Sequence, residues 1–255
     1  MTGRAGGLVG VLIIVAVWWV ASVVLFQGSG AIPTPPSVAA ELVDGERWAT
    51  TLGNATSTVS AAAQGYLWGN LAAIALAVLV LLVPTLETLA NQIAVVTYCV
   101  PLVAVGPVLV IVAGREAPAG ASIVLAAMSV FFTTVVGALL GLRAAPGASV
   151  DLVRAYGGSA WTVLRKVRAI AALPSLFAAL KIAAPAAFLG AILAEYLGSG
   201  GDATLGRALI AAQTQGDAPV LWFLALVSGA LSGIGYLLVG AVARVVAPWT
   251  TGVPA

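Results

Sequence analysis

Residues Asp151 to Pro174 read DLVRAYGGSAWTVLRKVRAIAALP, a stretch that gathers Arg154, Arg165, Lys166 and Arg168 with one acid between two long apolar segments. It is where an otherwise lipid-soluble chain returns to water, so it sets how the rest divides. The 255 residues are 61% hydrophobic and only 8% charged, against about 25% charged in an average soluble domain. This composition is that of an integral membrane protein.

A bilayer core about 30 Å thick needs roughly 20 apolar helical residues. Outward from the basic stretch, the segments that meet this test are Leu8 to Phe26, Val59 to Val83, Ile93 to Ala113, Ala121 to Leu142, Leu173 to Leu197 and Val220 to Ala243. The expected fold is all-α, a polytopic membrane protein with about six transmembrane helices. Residues 1–255 form a single membrane domain, with one substantial connection at 143–172. Eight of the eleven basic residues (Arg4, Arg143, Arg154, Arg165, Lys166, Arg168, Lys181, Arg244) fall on one side of such a bundle, and Arg47, Arg115 and Arg207 on the other. The positive-inside rule makes the first side cytoplasmic, with both termini there. The long loops facing out are then Gln27 to Thr58 and Gly198 to Pro219. Ser37 is placed to cap a short helix over Val38 to Val43, and a second short helix is expected over Leu205 to Gln213.

Absences exclude most chemistry. There is no histidine, so imidazole catalysis and histidine metal ligation are out. Neither lysine follows the glycine spacing of a phosphate-binding loop, and no G-x-S-x-G elbow or paired carboxylates occur. No catalytic residue, metal ligand or bound cofactor is expected. A net charge of +2 is too small to argue for nucleic acid. Lone Cys99 forms no disulfide within the chain.

Within the basic loop, Val150, Val153 and Tyr156 share one face of a short helix. Gly157 and Gly158 break it, and Ser159 caps a second carrying Trp161, Leu164 and Val167. The alternative is a solvated loop whose arginines only enforce topology. Gly157 is expected in a turn of positive φ or against a partner surface. Glu195, the acid deepest in an apolar segment, belongs toward the bundle interior or at the helix end, bonded to amides around Gly198. Lys181 is expected to snorkel to the cytoplasmic headgroups. Pro101, Pro107 and Pro185 should kink their spans. Gly229, Ser232, Gly233 and Gly235 would allow a close helix approach, within the subunit or between subunits.

The loop resembles the cytoplasmic EAA loop of binding-protein-dependent ABC importer permeases, in which an acid, two small residues and, after three more positions, a glycine precede an apolar-x-Leu-Pro ending. Asp151, Leu152 and Val153 hold the first positions and Gly157 the glycine. Val167 holds the apolar position, and Ala169-Ile170 replaces Leu-Pro. Leu173-Pro174 matches a second Leu-Pro of the nitrate, sulfonate and taurine branch. The prolines six apart in Val100-Pro101 through Pro107, Phe131-Phe132, Gly141-Leu142-Arg143, Leu180-Lys181 and Ala194-Glu195 are similar to that branch as well. Thr133 and Ala61 depart from its proline and arginine.

The resemblance implies a transport subunit, not an enzyme, in a bacterial inner membrane. Its partners would be two cytoplasmic ATP-binding subunits that carry ATP and Mg, a second permease chain, identical or homologous, and an extracytoplasmic solute-binding protein. Asp151, Leu152, Val153, Arg154, Ala155, Tyr156, Gly157, Gly158, Ser159 and Trp161 would form the ATPase-coupling loop. Glu195, Pro101 and Pro107 are the candidate pathway residues. The rival readings are an ion-coupled secondary carrier, which usually carries mid-span ionisable groups or broken helices near the midplane, and a non-transporting scaffold.

Overall fold

The computed structural model describes residues 2–26, 30–114 and 117–249. Arg115, assigned above to the outer side, lies outside the described residues. Helix α1 spans Thr2–Val20 and continues through a π-turn at Ala21–Leu25; α2 is Pro35–Val43 and α3 is Gly45–Leu82. A 3-10 turn at Pro84–Leu86 leads into α4, Glu87–Cys99, and α5, Leu102–Ala113. There follow α6 (Gly120–Arg143), α7 (Gly147–Ala155), α8 (Ala160–Val163), a π-turn at Leu164–Arg168, α9 (Ala169–Tyr196), α10 (Leu205–Gln215) and α11 (Ala218–Val246). The chain is all-α and polytopic, with no strand among the described residues.

Among the described residues four helices are long and apolar enough to cross a membrane: Gly45–Leu82, Gly120–Arg143, Ala160–Tyr196 and Ala218–Val246. The expected third span differs: its two halves meet at a 92° bend. Pro101 brings no N–H to the carbonyl of Thr97, and Val100-Pro101 is extended, so the helix stops at Cys99 and restarts. The pair still runs from one end of the bundle to the other. Glu87 at the start of α4 pairs with Arg143 at the end of α6, 2.8 Å apart, and Ala113 at the end of α5 abuts Gly120 at the start of α6. Pro107 and Pro185 lie inside α5 and α9, neither of which is broken by its proline. The first expected span is a shorter apolar helix, Val9–Leu25, about 26 Å long at 1.5 Å per residue.

The outer connection drawn from Gln27 to Thr58 is largely helix. Asp44 caps α3, its Oδ1 accepting from the amides of Glu46 (2.9 Å) and Arg47 (3.1 Å). The stretch that follows is too polar to read as a span, yet Thr51, Ala55, Thr58 and Ala62 bury one stripe at helical spacing. Thr34, not Ser37, is the N-cap of α2, which Pro35 and Pro36 open. The fifth span likewise begins at Ala160 rather than Leu173, because α8 runs through the π-turn into α9.

Helix α6 is the axis of the packing, with α3 and α9 against it. A Cβ on Gly65 would lie 2.4 Å from Ala126 Cβ, and one on Gly69 2.6 Å from the Ala127 carbonyl. On the other side a Cβ on Gly137 would lie 2.4 Å from Ala179 Cβ and one on Gly141 2.8 Å from the Ala172 carbonyl. These glycines let the helices touch backbone to backbone. Within the subunit the small-residue run of α11 makes no such close contact: Gly229 and Gly233 have nothing within 4 Å, and a Cβ on Gly235 would meet Ala184 Cβ at 3.7 Å. Inside this seam the buried Asn70 accepts from Thr134 Oγ1 at 2.5 Å and donates to Tyr66 O at 2.7 Å.

Candidate functional site

The sequence-predicted residues divide between the two ends of α9. At its N-terminal end, α7 and α8 form the loop read as glycine-broken. Val150, Val163 and Leu164 are buried and anchor it to the bundle. Its first helix ends in a Schellman turn: Gly158 N donates to Val153 O at 2.9 Å, and Gly157 N donates to Arg154 O, also at 2.9 Å. Gly157 occupies the left-handed position with φ of +76°, as expected, and has open space around it. Its requirement is conformational. Gly158 is held by sterics instead, since a Cβ there would lie 2.5 Å from Val153 Cγ1. Ser159 then caps α8, its Oγ accepting from Thr162 N at 3.3 Å.

What this loop presents is apolar as well as basic. Leu152 (59% exposed), Tyr156 (86%) and Trp161 (54%) stand free beside exposed Asp151, Arg154 and Ala155. Arg154, Arg165, Lys166 and Arg168 form no ion pair among the described residues. Two short, tightly turned helices therefore carry a rigid, exposed surface of aromatic and cationic groups. Such residues concentrate binding energy when covered.

At the C-terminal end, Glu195 is enclosed, 1% exposed. Its Oε2 accepts from Thr58 Oγ1 of α3 at 2.8 Å and from the Gly206 amide of α10 at 3.1 Å. Thr58 Oγ1 in turn accepts from Leu205 N at 3.0 Å. Glu195 and Thr58 thus supply, from two other helices, the acceptors for the first amides of α10, whose own Thr204 caps Arg207 N. Gly206 makes the contact possible, because a Cβ there would sit 2.5 Å from Glu195 Cβ. Nearby, Ser199 Oγ donates to Pro118 O and lies 3.0 Å from Ser122 Oγ, joining α6 to the same connection. The amide partner is therefore Gly206, not one near Gly198. Sequence reading named Glu195 but missed Thr58 and Gly206.

Pro101 and Pro107 are exposed on the bent pair, whereas Glu195 is enclosed, so the three do not line one surface here. Gly106 between the prolines packs on Leu197. Among the described residues no group of three or more His, Cys, Asp or Glu is arranged to hold a metal.

A family model described as a binding-protein-dependent transport system inner membrane component matches residues 65–252. The riboflavin transport system permease protein RibX of Chloroflexus aurantiacus is 28% identical over 95% of this chain and 90% of its own length. A probable ABC transporter permease protein of Haemophilus influenzae is 33% identical over 41% of this chain and 42% of its own length. The nitrate, sulfonate and taurine branch is not supported by these relatives, one of which carries riboflavin in its name.

Proposed function

The chain belongs to the family of binding-protein-dependent transport system inner membrane components and is the permease subunit of an ABC importer; on that premise we propose that residues 143–172 are its ATPase-coupling element. Membership implies ATPase subunits and a substrate-binding protein as partners, and it leaves ATP hydrolysis to the former. The observation that carries the proposal is the Schellman-turned pair α7 and α8, whose Leu152, Tyr156 and Trp161 remain more than half exposed.

In this reading two ATP-binding subunits dock on the α7 ends of two permease chains, and that end faces the cytoplasm. Closure of the ATPases pushes on a loop continuous with α9 through the π-turn at Leu164–Arg168. Movement is thereby delivered along a helix that reaches the far end of the bundle. A loaded binding protein biases the opposite end. The pathway alternates because each partner binds one arrangement better than the other. Glu195 acts on the pathway by holding the α9–α10 connection in place. The solute is a small molecule delivered by the binding protein, and riboflavin is the first candidate to assay, from the RibX relative.

Gly157→Leu tests the coupling role, since a side chain at φ of +76° strains the turn by about 1 kcal/mol or more while touching no span. ATPase copurification or stimulation should fall about tenfold for each ~1.4 kcal/mol of docking lost. Arg47→Ala, at an ion pair with Glu41 in the opposite end, should leave docking intact. Wild-type coupling in Gly157→Leu would refute the role.

A further inference from the structure

Between α9 and α11, near the end that carries α7, lies a cavity of 760 Å³ whose lining includes Lys181, Tyr236, Gly240 and Arg244 over the apolar floor of Phe177 and Leu237. Lys181 Nζ stands 4.8 Å from the centre of the Tyr236 ring. Neither Lys181 nor Arg244 has a carboxylate partner among the described residues. Gly240 is what opens the space. A Cβ there would be 3.4 Å from Lys181 Cε, so any larger residue would occupy the room beside the ammonium.

Depth identifies the ligand chemistry. Gly240 lies about 33 Å along α11 from Ala218 at 1.5 Å per residue, and a hydrocarbon core is about 30 Å thick. The Lys181 ammonium therefore sits at the boundary of the core, and Arg244 one helical turn beyond it. Two unpaired cations at headgroup depth, beside the apolar side chains of Phe177 and Leu237, complement a phosphodiester that carries acyl chains. An ordinary snorkelling lysine needs no cavity and no second cation.

We propose that this cavity binds the phosphate of an anionic phospholipid between Lys181 and Arg244, with an acyl chain along Phe177 and Leu237. The Tyr236 face holds part of the ammonium's solvation and leaves its remaining donors directed at the anion. The site is independent of the coupling loop and stands on the membrane-spanning arrangement alone.

The test uses the full chain in detergent, titrated with dioleoyl phosphatidylglycerol, with dioleoyl phosphatidylcholine, and separately with inorganic phosphate. Retained lipid is read by native mass spectrometry and stabilisation by thermal melting. Phosphatidylglycerol should be retained and should raise the melting temperature more than phosphatidylcholine does, with inorganic phosphate inactive because it brings no chains. Each basic residue near a membrane surface contributes about 1 kcal/mol toward anionic lipid, about fivefold in affinity. Lys181→Gln and Arg244→Gln should each weaken retention by about that factor, and Gly240→Leu should abolish it with both cations intact. Lys181→Arg should retain the lipid, which guards against reading a folding defect as lost binding. Equal retention of the two lipids, equal stabilisation by inorganic phosphate, or retention unchanged in Lys181→Gln/Arg244→Gln would overturn the assignment.

Discussion

The two ends of α9 handle polar groups in opposite ways. At the Glu195 end, the carboxylate, the Thr58 hydroxyl and the first amides of α10 satisfy one another out of reach of water. Arg47 and Arg207 are likewise paired, with Glu41 and Asp202, each at 2.9 Å. At the α7 end, Arg154, Arg165, Lys166, Arg168, Lys181 and Arg244 have no carboxylate partner among the described residues, and large apolar side chains are bare. The first end is finished by its own chain. The second displays chemistry that something else must complete. A moving permease needs both, because a displacement received at one end reaches the other only if the far connection is held fast.

The contrast can be broken by substitution, with the largest effect expected where the chain is most self-sufficient. Glu195→Ala removes two hydrogen bonds to a carboxylate and leaves the Gly206 amide buried without an acceptor. It should cost about 3 kcal/mol, seen as a melting temperature lower by several degrees in detergent. Gly206→Ala should cost about 2 kcal/mol by forcing α10 off α9, and trypsin should then cut the α9–α10 connection faster. Tyr156→Ala should leave melting within about 0.5 kcal/mol of wild type and yet weaken ATPase association about tenfold, a hot-spot loss of ~1.4 kcal/mol. The smallest effect belongs to Arg207→Ala, whose exposed pair with Asp202 is worth about 0.5 kcal/mol or less; melting should not resolve it. A melting temperature that falls for Tyr156→Ala but not for Glu195→Ala would reverse the comparison.

Hydropathy found the all-α membrane class and four of the six expected spans, because lipid imposes one requirement on every residue of a segment. It failed where the requirement is local or shared. The polar start of α3 looks like loop in composition, and only the buried stripe of Thr51, Ala55 and Thr58 makes it helix. Pro101 announced a kink, but a bend of 92° depends on how the two halves pack. In the basic loop, Gly157 and Ser159 were legible because a turn and a cap are written within a few residues. Gly158 was not legible for its real reason, its contact with Val153. The partners of Glu195 were out of reach altogether, since Thr58 is 137 positions away in the chain. Shared motifs brought in the family. They fixed the permease but not its branch, because the spans describe a transporter's frame more than its cargo.

The interrupted helix at Val100-Pro101 constrains how the protein is made. Where the run stops at Cys99, Pro101 offers the Thr97 carbonyl no amide, and Tyr98 and Val103 beside the gap are largely exposed. Hydrocarbon offers such carbonyls no donor, and bare backbone at that depth persists only under protein or beside water. A lone copy inserted in the bilayer thus leaves part of its backbone unpaired, a state that assembly would end. Its lifetime in the cell should follow the supply of whatever covers that gap, so that production of the assembly is balanced by turnover of unassembled copies.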